Sequence, residues 1–127
     1  MVFNTGGENI SFDWLFHTYF RVDDVGKTTV GEFFKEYKSD DEFCERFKIK
    51  NAINIVSTQR IVELSVKNMD DVVVWNPGPE KAGLMADLGR GEERTFICVE
   101  TGAISPSDKI TLSPGQSITF EQTLKCK

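Results

Sequence analysis

The sequence predicts an all-β protein, an antiparallel β-sandwich with one short helix. Three observations lead there. Apolar residues recur at every second position along most of the chain, the period of half-buried strands. Turn-forming groups (Asp23-Asp24 with Gly26, Asn68-Met69-Asp70, Asn76-Pro77-Gly78-Pro79, Pro114-Gly115) interrupt that alternation at close spacing. The segment after Pro79 has helical composition and is the one helix expected. Many short strands between frequent turns describe a sandwich or a barrel. The 127 residues are one domain's length, with no internal repeat or linker, and ten Phe, two Trp and two Tyr supply the area for a core.

In chain order, Phe12 to Val22 alternates most clearly. Its even positions are Phe12, Trp14, Phe16, Thr18, Phe20 and Val22, and its odd positions include Leu15, His17, Tyr19 and Arg21. One face is hydrocarbon, and the mixed polar and aromatic face suits a groove. Thr28 to Phe34 is a weaker strand, with Gly31 inside it. Lys35 to Arg46 is charged and reads as a solvated loop or a short helix. Ile53 and Ile55, then Val62, Leu64 and Val66, mark two strands joined at Ser57–Gln59. Val72 to Trp75 is a continuous apolar strand, the pattern of burial on both faces. Glu80 to Leu88 is the expected helix, opened by Pro79 and stopped by Gly89. Arg94 to Glu100 is a strand with Arg94, Phe96, Cys98 and Glu100 on one side; Gly102 to Ser107 is loop. Ile110 and Leu112 form a short strand, and Ile118 to Cys126 is the last one.

Composition removes several function classes. Fifteen basic residues stand against twenty acidic ones, a net charge of −5. That is the wrong sign for nucleic acid or an anionic membrane surface. No apolar run approaches the roughly 20 residues that span a bilayer, and the first ten residues lack a secretory leader's pattern. Cys44, Cys98 and Cys126 are odd in number and form no CxxC or Cys/His cluster along the sequence. Neither a disulfide framework nor a metal site is expected. All three read as packing residues, and a reducing cytoplasm is the simplest location. No phosphate loop, EF-hand or serine elbow is present.

Two residues remain. His17 is the lone histidine; it is either a half-buried structural residue with one hydrogen bond or an acid–base group. Glu100 ends the apolar run FICVE, where a carboxylate is costly unless paired. It is either a salt-bridged structural residue or a base with a tuned pKa.

The strings LFHTYFRV, DVVVWNP with EKAGLMADLG, FICVETG and LSPGQSITFEQTL occur in that order from about Phe3 to about Leu124. Together they resemble the C-terminal half of the aldose 1-epimerase superfamily, part of a galactose mutarotase-like supersandwich, and within it the glucose-6-phosphate 1-epimerase branch. The resemblance implies anomerisation of a hexose or hexose phosphate without a cofactor. It places the general acid on His17 and the general base on Glu100. The family's substrate-binding Thr-Asp-Arg falls on Cys44-Glu45-Arg46, making Glu45 and Arg46 candidate substrate ligands. The tryptophan that often follows Asn-Pro is Gly78 here. It also implies that residues 1–127 form one unit whose open sandwich is covered by a second copy or a partner chain. A module that keeps the fold and binds sugar without turnover, or a remnant with neither property, is the other outcome it allows.

Overall fold

The computed structural model describes residues 1–31, 41–104 and 109–127. The chain opens with β1 (Val2–Phe3), β2 (Ile10–Phe12), β3 (Trp14–Phe16) and β4 (Tyr19–Arg21), then a 3₁₀ turn at Val25–Lys27. Next come β5 (Thr29–Val30), β6 (Phe43–Lys48), β7 (Ala52–Val56), β8 (Ile61–Lys67) and β9 (Asp71–Asn76). Helix α1 (Gly78–Ala82) and a second 3₁₀ turn (Glu92–Thr95) lead into β10 (Phe96–Ala103). β11 (Ile110–Leu112), β12 (Ser117–Ile118) and β13 (Glu121–Cys126) follow.

These strands make an antiparallel β-sandwich with one short helix, the predicted class. One sheet runs β3-β10-β9-β6, with β4 following β3 along the same edge of β10; the other runs β13-β8-β7-β5. β1 pairs with β12 and β2 with β11 outside those sheets. The core lies between the large sheets. Phe20, Val72, Val74, Ile97 and Val99 from the first meet Ile53, Ile55, Val62 and Leu64 from the second. β9 is buried on both faces, as its unbroken apolar run requires: Val72 and Val74 face the core, while Val73 is buried on the far side.

Several expected boundaries shift. Phe12 to Val22 is three strands, because the chain changes partner near Asp13: β2 joins β11, whereas β3 and β4 both lie on β10. Of the charged stretch 35–46, residues 35–40 lie outside the described residues, and the rest enters β6 as strand. Phe43 and Phe47, two and two apart around Glu45, pack on the core, so period-2 burial outweighs the charge between them. Likewise β5 contains only Thr29–Val30 of the weak strand, and 32–34 are not described.

The helix stops at Ala82 rather than Leu88. Leu84 is fully out in solvent (84% exposed), so the segment has no apolar stripe to hold a longer helix. β10 starts two residues later than expected and continues through Gly102, where a loop was expected. Gly102 makes that possible: a Cβ there would lie 2.1 Å from the Trp14 carbonyl oxygen of neighbouring β3. The last strand breaks at Thr119-Phe120, where Phe120 stacks on Trp14 with centroids 5.1 Å apart. Only Cys98 is a buried packing cysteine; Cys44 and Cys126 lie exposed on the edge strands β6 and β13. No helix among the described residues is long and apolar enough to cross a membrane.

Candidate active site

The site forms on the outer face of the first sheet, and register alone assembles it. β10 pairs Thr101 with Phe16 and Cys98 with Tyr19, three steps on each strand, so His17 stands across from Glu100. On the other side of β10, Glu100 pairs with Val73, which pairs with Arg46 on β6. One cross-strand row is therefore His17, Glu100, Val73 and Arg46. The next is Tyr19, Cys98, Trp75 and Cys44. Side chains in such rows share a face, because the pleat repeats every two residues. The break between β3 and β4 falls at His17-Thr18, yet the Thr18 carbonyl still accepts the Val99 N–H, which keeps the strands in step.

His17 Nε2 lies 3.1 Å from Glu100 Oε1. The imidazole is half exposed, with 50% of its side chain in solvent, while the carboxylate side chain is 7% exposed. A solute can thus reach the histidine and one edge of the carboxylate. Burial pushes Glu100 above the ordinary carboxylate pKa; His17 and Arg46 pull in the opposite direction, and burial wins. A carboxylate whose pKa moves up toward neutrality is a stronger base when ionised.

Aromatic rings fix the histidine. Tyr19 stacks on it at 5.0 Å, and Trp75 meets it edge-on at 5.9 Å. Trp75 is held in turn: its indole N–H donates to Glu42 at 3.0 Å, and Lys81, 2.6 Å from the same carboxylate oxygen, sits 5.4 Å from the indole centroid. The Lys81 hydrogen bond, then that of Trp75, holds exposed Glu42 below the usual carboxylate range. Beneath, Asn76 is fully buried; its amide donates to the Glu93 and Phe96 carbonyls and its oxygen accepts the Gly78 N–H. Those bonds clamp the end of β9 to the start of β10. Gly78 has φ +67°, and a Cβ would lie 2.5 Å from the Glu42 backbone nitrogen. The chain at Asp41–Glu42 therefore fills the space a side chain at position 78 would need, and no tryptophan fits there.

The structure brings His17, Glu100 and Arg46 to one face. Glu45 falls in the row of Val74 and Val99, on the opposite face, and takes no part in this cluster. Tyr19, Cys98 and Trp75 belong to the site although sequence reasoning gave them no role. The signal was available for the first two: Tyr19 shares the odd-numbered side with His17, and Cys98 shares the side of Glu100. His17, Cys98 and Glu100 place donor atoms within 4.8 Å of one another, a spacing that could hold a metal ion. Burial pushes the Cys98 thiol up to about 12, so it stays protonated and is a poor ligand. Burial also raises the pKa of the Tyr19 phenol, which hydrogen-bonds with Cys98. The arrangement is suited to moving protons between an imidazole, a carboxylate and hydroxyl groups of a bound solute.

A histidine–glutamate contact lies on the outer face of an antiparallel sandwich, and the comparisons with known proteins supply the class that this fold belongs to. The family described as aldose 1-epimerase matches residues 26–125, so the chain belongs to that family. A protein of Cenchrus ciliaris named "Putative glucose-6-phosphate 1-epimerase" is 28% identical over 89% of this chain and 40% of its own length. The protein of the same name from Escherichia coli (strain K12) is 30% identical over 75% of this chain and 39% of its own. The chain thus spans about two fifths of the curated relatives it matches. Among solved structures, a "putative mutarotase" from Salmonella typhimurium superposes with a TM-score of 0.71 over 84% of this chain and 42% of its own, at 19% identity. The crystal structure of HI1317 gives 0.68 over 91% and 47%, at 20% identity. At those identities the likeness is one of fold.

Proposed function

We propose that this chain supplies the acid–base pair of a hexose-6-phosphate 1-epimerase, interconverting the α and β anomers of a substrate such as glucose 6-phosphate. The observation that carries the reading is the 3.1 Å contact between half-exposed His17 and buried Glu100. Glu100, ionised, takes the proton from the anomeric hydroxyl. The C1–O5 bond breaks as C1 becomes a carbonyl, and protonated His17 gives its proton to O5. Rotation about C1–C2 presents the other face of the aldehyde. Closure then returns the O5 proton to His17 and the Glu100 proton to the anomeric oxygen. The two oxygens share one carbon, so the acid and the base must lie close together, as these do. The ion pair resets with each turnover and no cofactor is called for. Arg46, in the same row, favours the ionised carboxylate and is placed to meet a sugar hydroxyl. The names carried by the two relatives support the choice of a sugar phosphate.

The test is anomer exchange on α-glucose 6-phosphate, followed by NMR or polarimetry. A wild-type chain that accelerates exchange and a Glu100→Gln chain that does not is the expected result; equal rates would sink the reading. Association with a second copy has its own support. Leu124 lies on the inward side of edge strand β13, in the row of Leu64, and is still 46% exposed. Sedimentation that finds only monomer at micromolar concentration would remove that proposal.

A further inference from the structure

One side-chain amide links the two sheets directly behind the acid–base pair. Gln122 stands on β13, the edge strand of the second sheet, opposite Val66 of β8. We propose that Gln122 is a positioning residue: bonded to Thr18 and Thr101, it holds the strands that carry His17 and Glu100 in step and so sets the distance between those two groups. The inference rests on the epimerase reading for what that distance serves, and on the geometry for what holds it.

Four observations carry it. First, the hydrogen bonds run to the residues next to the pair. The Thr18 hydroxyl donates to Gln122 Oε1 at 3.0 Å, and Gln122 Nε2 donates to the Thr101 hydroxyl at 3.0 Å. Thr18 follows His17 in the sequence, and Thr101 follows Glu100. Neighbouring residues of a strand face opposite sides, so with His17 and Glu100 on the outer face both hydroxyls point inward.

Second, the bridge crosses between strands. The register that sets His17 against Glu100 sets Thr18 against Val99, which makes Thr18 and Thr101 diagonal neighbours on the inner face. Side chains so placed start roughly 7 Å apart, too far for one hydroxyl to reach the other. A primary amide, with an acceptor at one end and donors at the other, spans that gap.

Third, the bridge falls where the ladder is interrupted. β3 ends at Phe16 and β4 begins at Tyr19, so His17 and Thr18 lie between two strands. There the bond from the Val99 N–H to the Thr18 carbonyl, at 3.1 Å, is joined by the side-chain bond to Gln122. Fourth, a polar group at this position runs against its surroundings. Gln122 shares the inward side of β13 with Leu124 and pairs with Val66, which packs on the core. Hydrocarbon would serve stability there, and a glutamine needs both ends bonded. Fully buried Thr101 would in turn lose a partner if position 122 were apolar.

The test compares Gln122→Leu, Thr18→Val and Thr18→Ser in the intact chain. Leucine removes the amide, valine keeps the shape of threonine without its hydroxyl, and serine keeps the hydroxyl. One readout is steady-state anomer exchange on glucose 6-phosphate. The other is the imidazole proton signal in the NMR spectrum, which belongs to His17 because the chain has one histidine. The Tyr19 ring, stacked at 5.0 Å, displaces that signal from the position of free histidine, so it reports where the imidazole lies. The expected result is a kcat lowered about 10- to 100-fold in Gln122→Leu and Thr18→Val with KM unchanged, the mark of lost alignment rather than lost binding. The imidazole signal moves toward that of free histidine in the same two variants, and Thr18→Ser stays near wild type in both readouts. Should Gln122→Leu fail to fold, the two Thr18 variants carry the comparison. An unchanged kcat, an imidazole signal that stays in place, or an equal loss in Thr18→Ser overturns the assignment. If the wild type accelerates no anomer exchange, the epimerase reading fails separately, and the imidazole signal alone decides whether Gln122 holds His17.

Discussion

The two faces of strand β10 make the central comparison. Phe96 to Ala103 is buried at every residue, yet its sides do different work. Ile97 and Val99 point into the sandwich and are wholly apolar surroundings for one another. Cys98 and Glu100 point the other way, into a layer of His17, Tyr19, Trp75 and Arg46. Burial on the first face is favourable because hydrocarbon leaves water. Burial on the second is unfavourable for the ionised carboxylate, which is why its pKa rises. On the proposed function, the strand carries stability and chemistry at alternate residues, and the two properties should separate on mutation.

The largest expected effect is on the chemical face. Glu100→Gln should slow anomer exchange by about 10²- to 10⁴-fold. The same change removes a buried charge, so the melting temperature at neutral pH should hold or rise, a trade of stability against activity. Because the folded pKa of Glu100 is raised, the native state binds its proton more tightly than the unfolded chain does. Stability from this group is therefore present at acid pH and declines as pH rises through the folded pKa; activity changes in the opposite sense. Thermal melts against pH should show that decline in the wild type and its loss in Glu100→Gln.

Next in size is the apolar face. Ile97→Ala should cost about 2–5 kcal/mol of unfolding free energy in denaturant titration, with the exchange rate per folded molecule nearly unchanged. A fall in that rate as large as the one from Glu100→Gln would break the separation of the faces. Gly102→Ala follows. Its methyl group would press on the Trp14 carbonyl where β3 and β10 close in, and about 1–3 kcal/mol of destabilisation is expected. The smallest effect sharpens the comparison rather than testing it. Arg46→Ala removes a cation that lowers the Glu100 pKa, so the acid limb of the pH–rate profile should move to higher pH. A limb that stays fixed would mean the profile reports another group.

Much of this was legible in the sequence, for reasons that differ by element. Val72–Trp75 and the alternation through His17, Tyr19 and Arg21 survive because burial at period two is a local pattern that the sheet simply adopts. Phe43–Arg46 was misread because the charges of Glu45 and Arg46, at the end of a charged stretch, masked Phe43, whose spacing from Phe47 mattered more. The helix was overestimated because composition around Met85 and Leu88 suits a helix, while Leu84 finds nothing to pack against. His17 and Glu100 stood out as polar residues in apolar strings. Glu45 did so as well, by likeness to a motif, but one step along β6 turned it to the other side of the sheet.

The order of residues by itself determined the all-β class, the central apolar strand, and which side chains share a face of each strand. It could do so because those depend on neighbours two positions away. Only the tertiary structure decided that positions 17 and 100 meet, that 46 joins them, and that 122 bridges 18 and 101 behind them. Those depend on which strands lie side by side and in what register, and that is settled by packing across the whole sandwich.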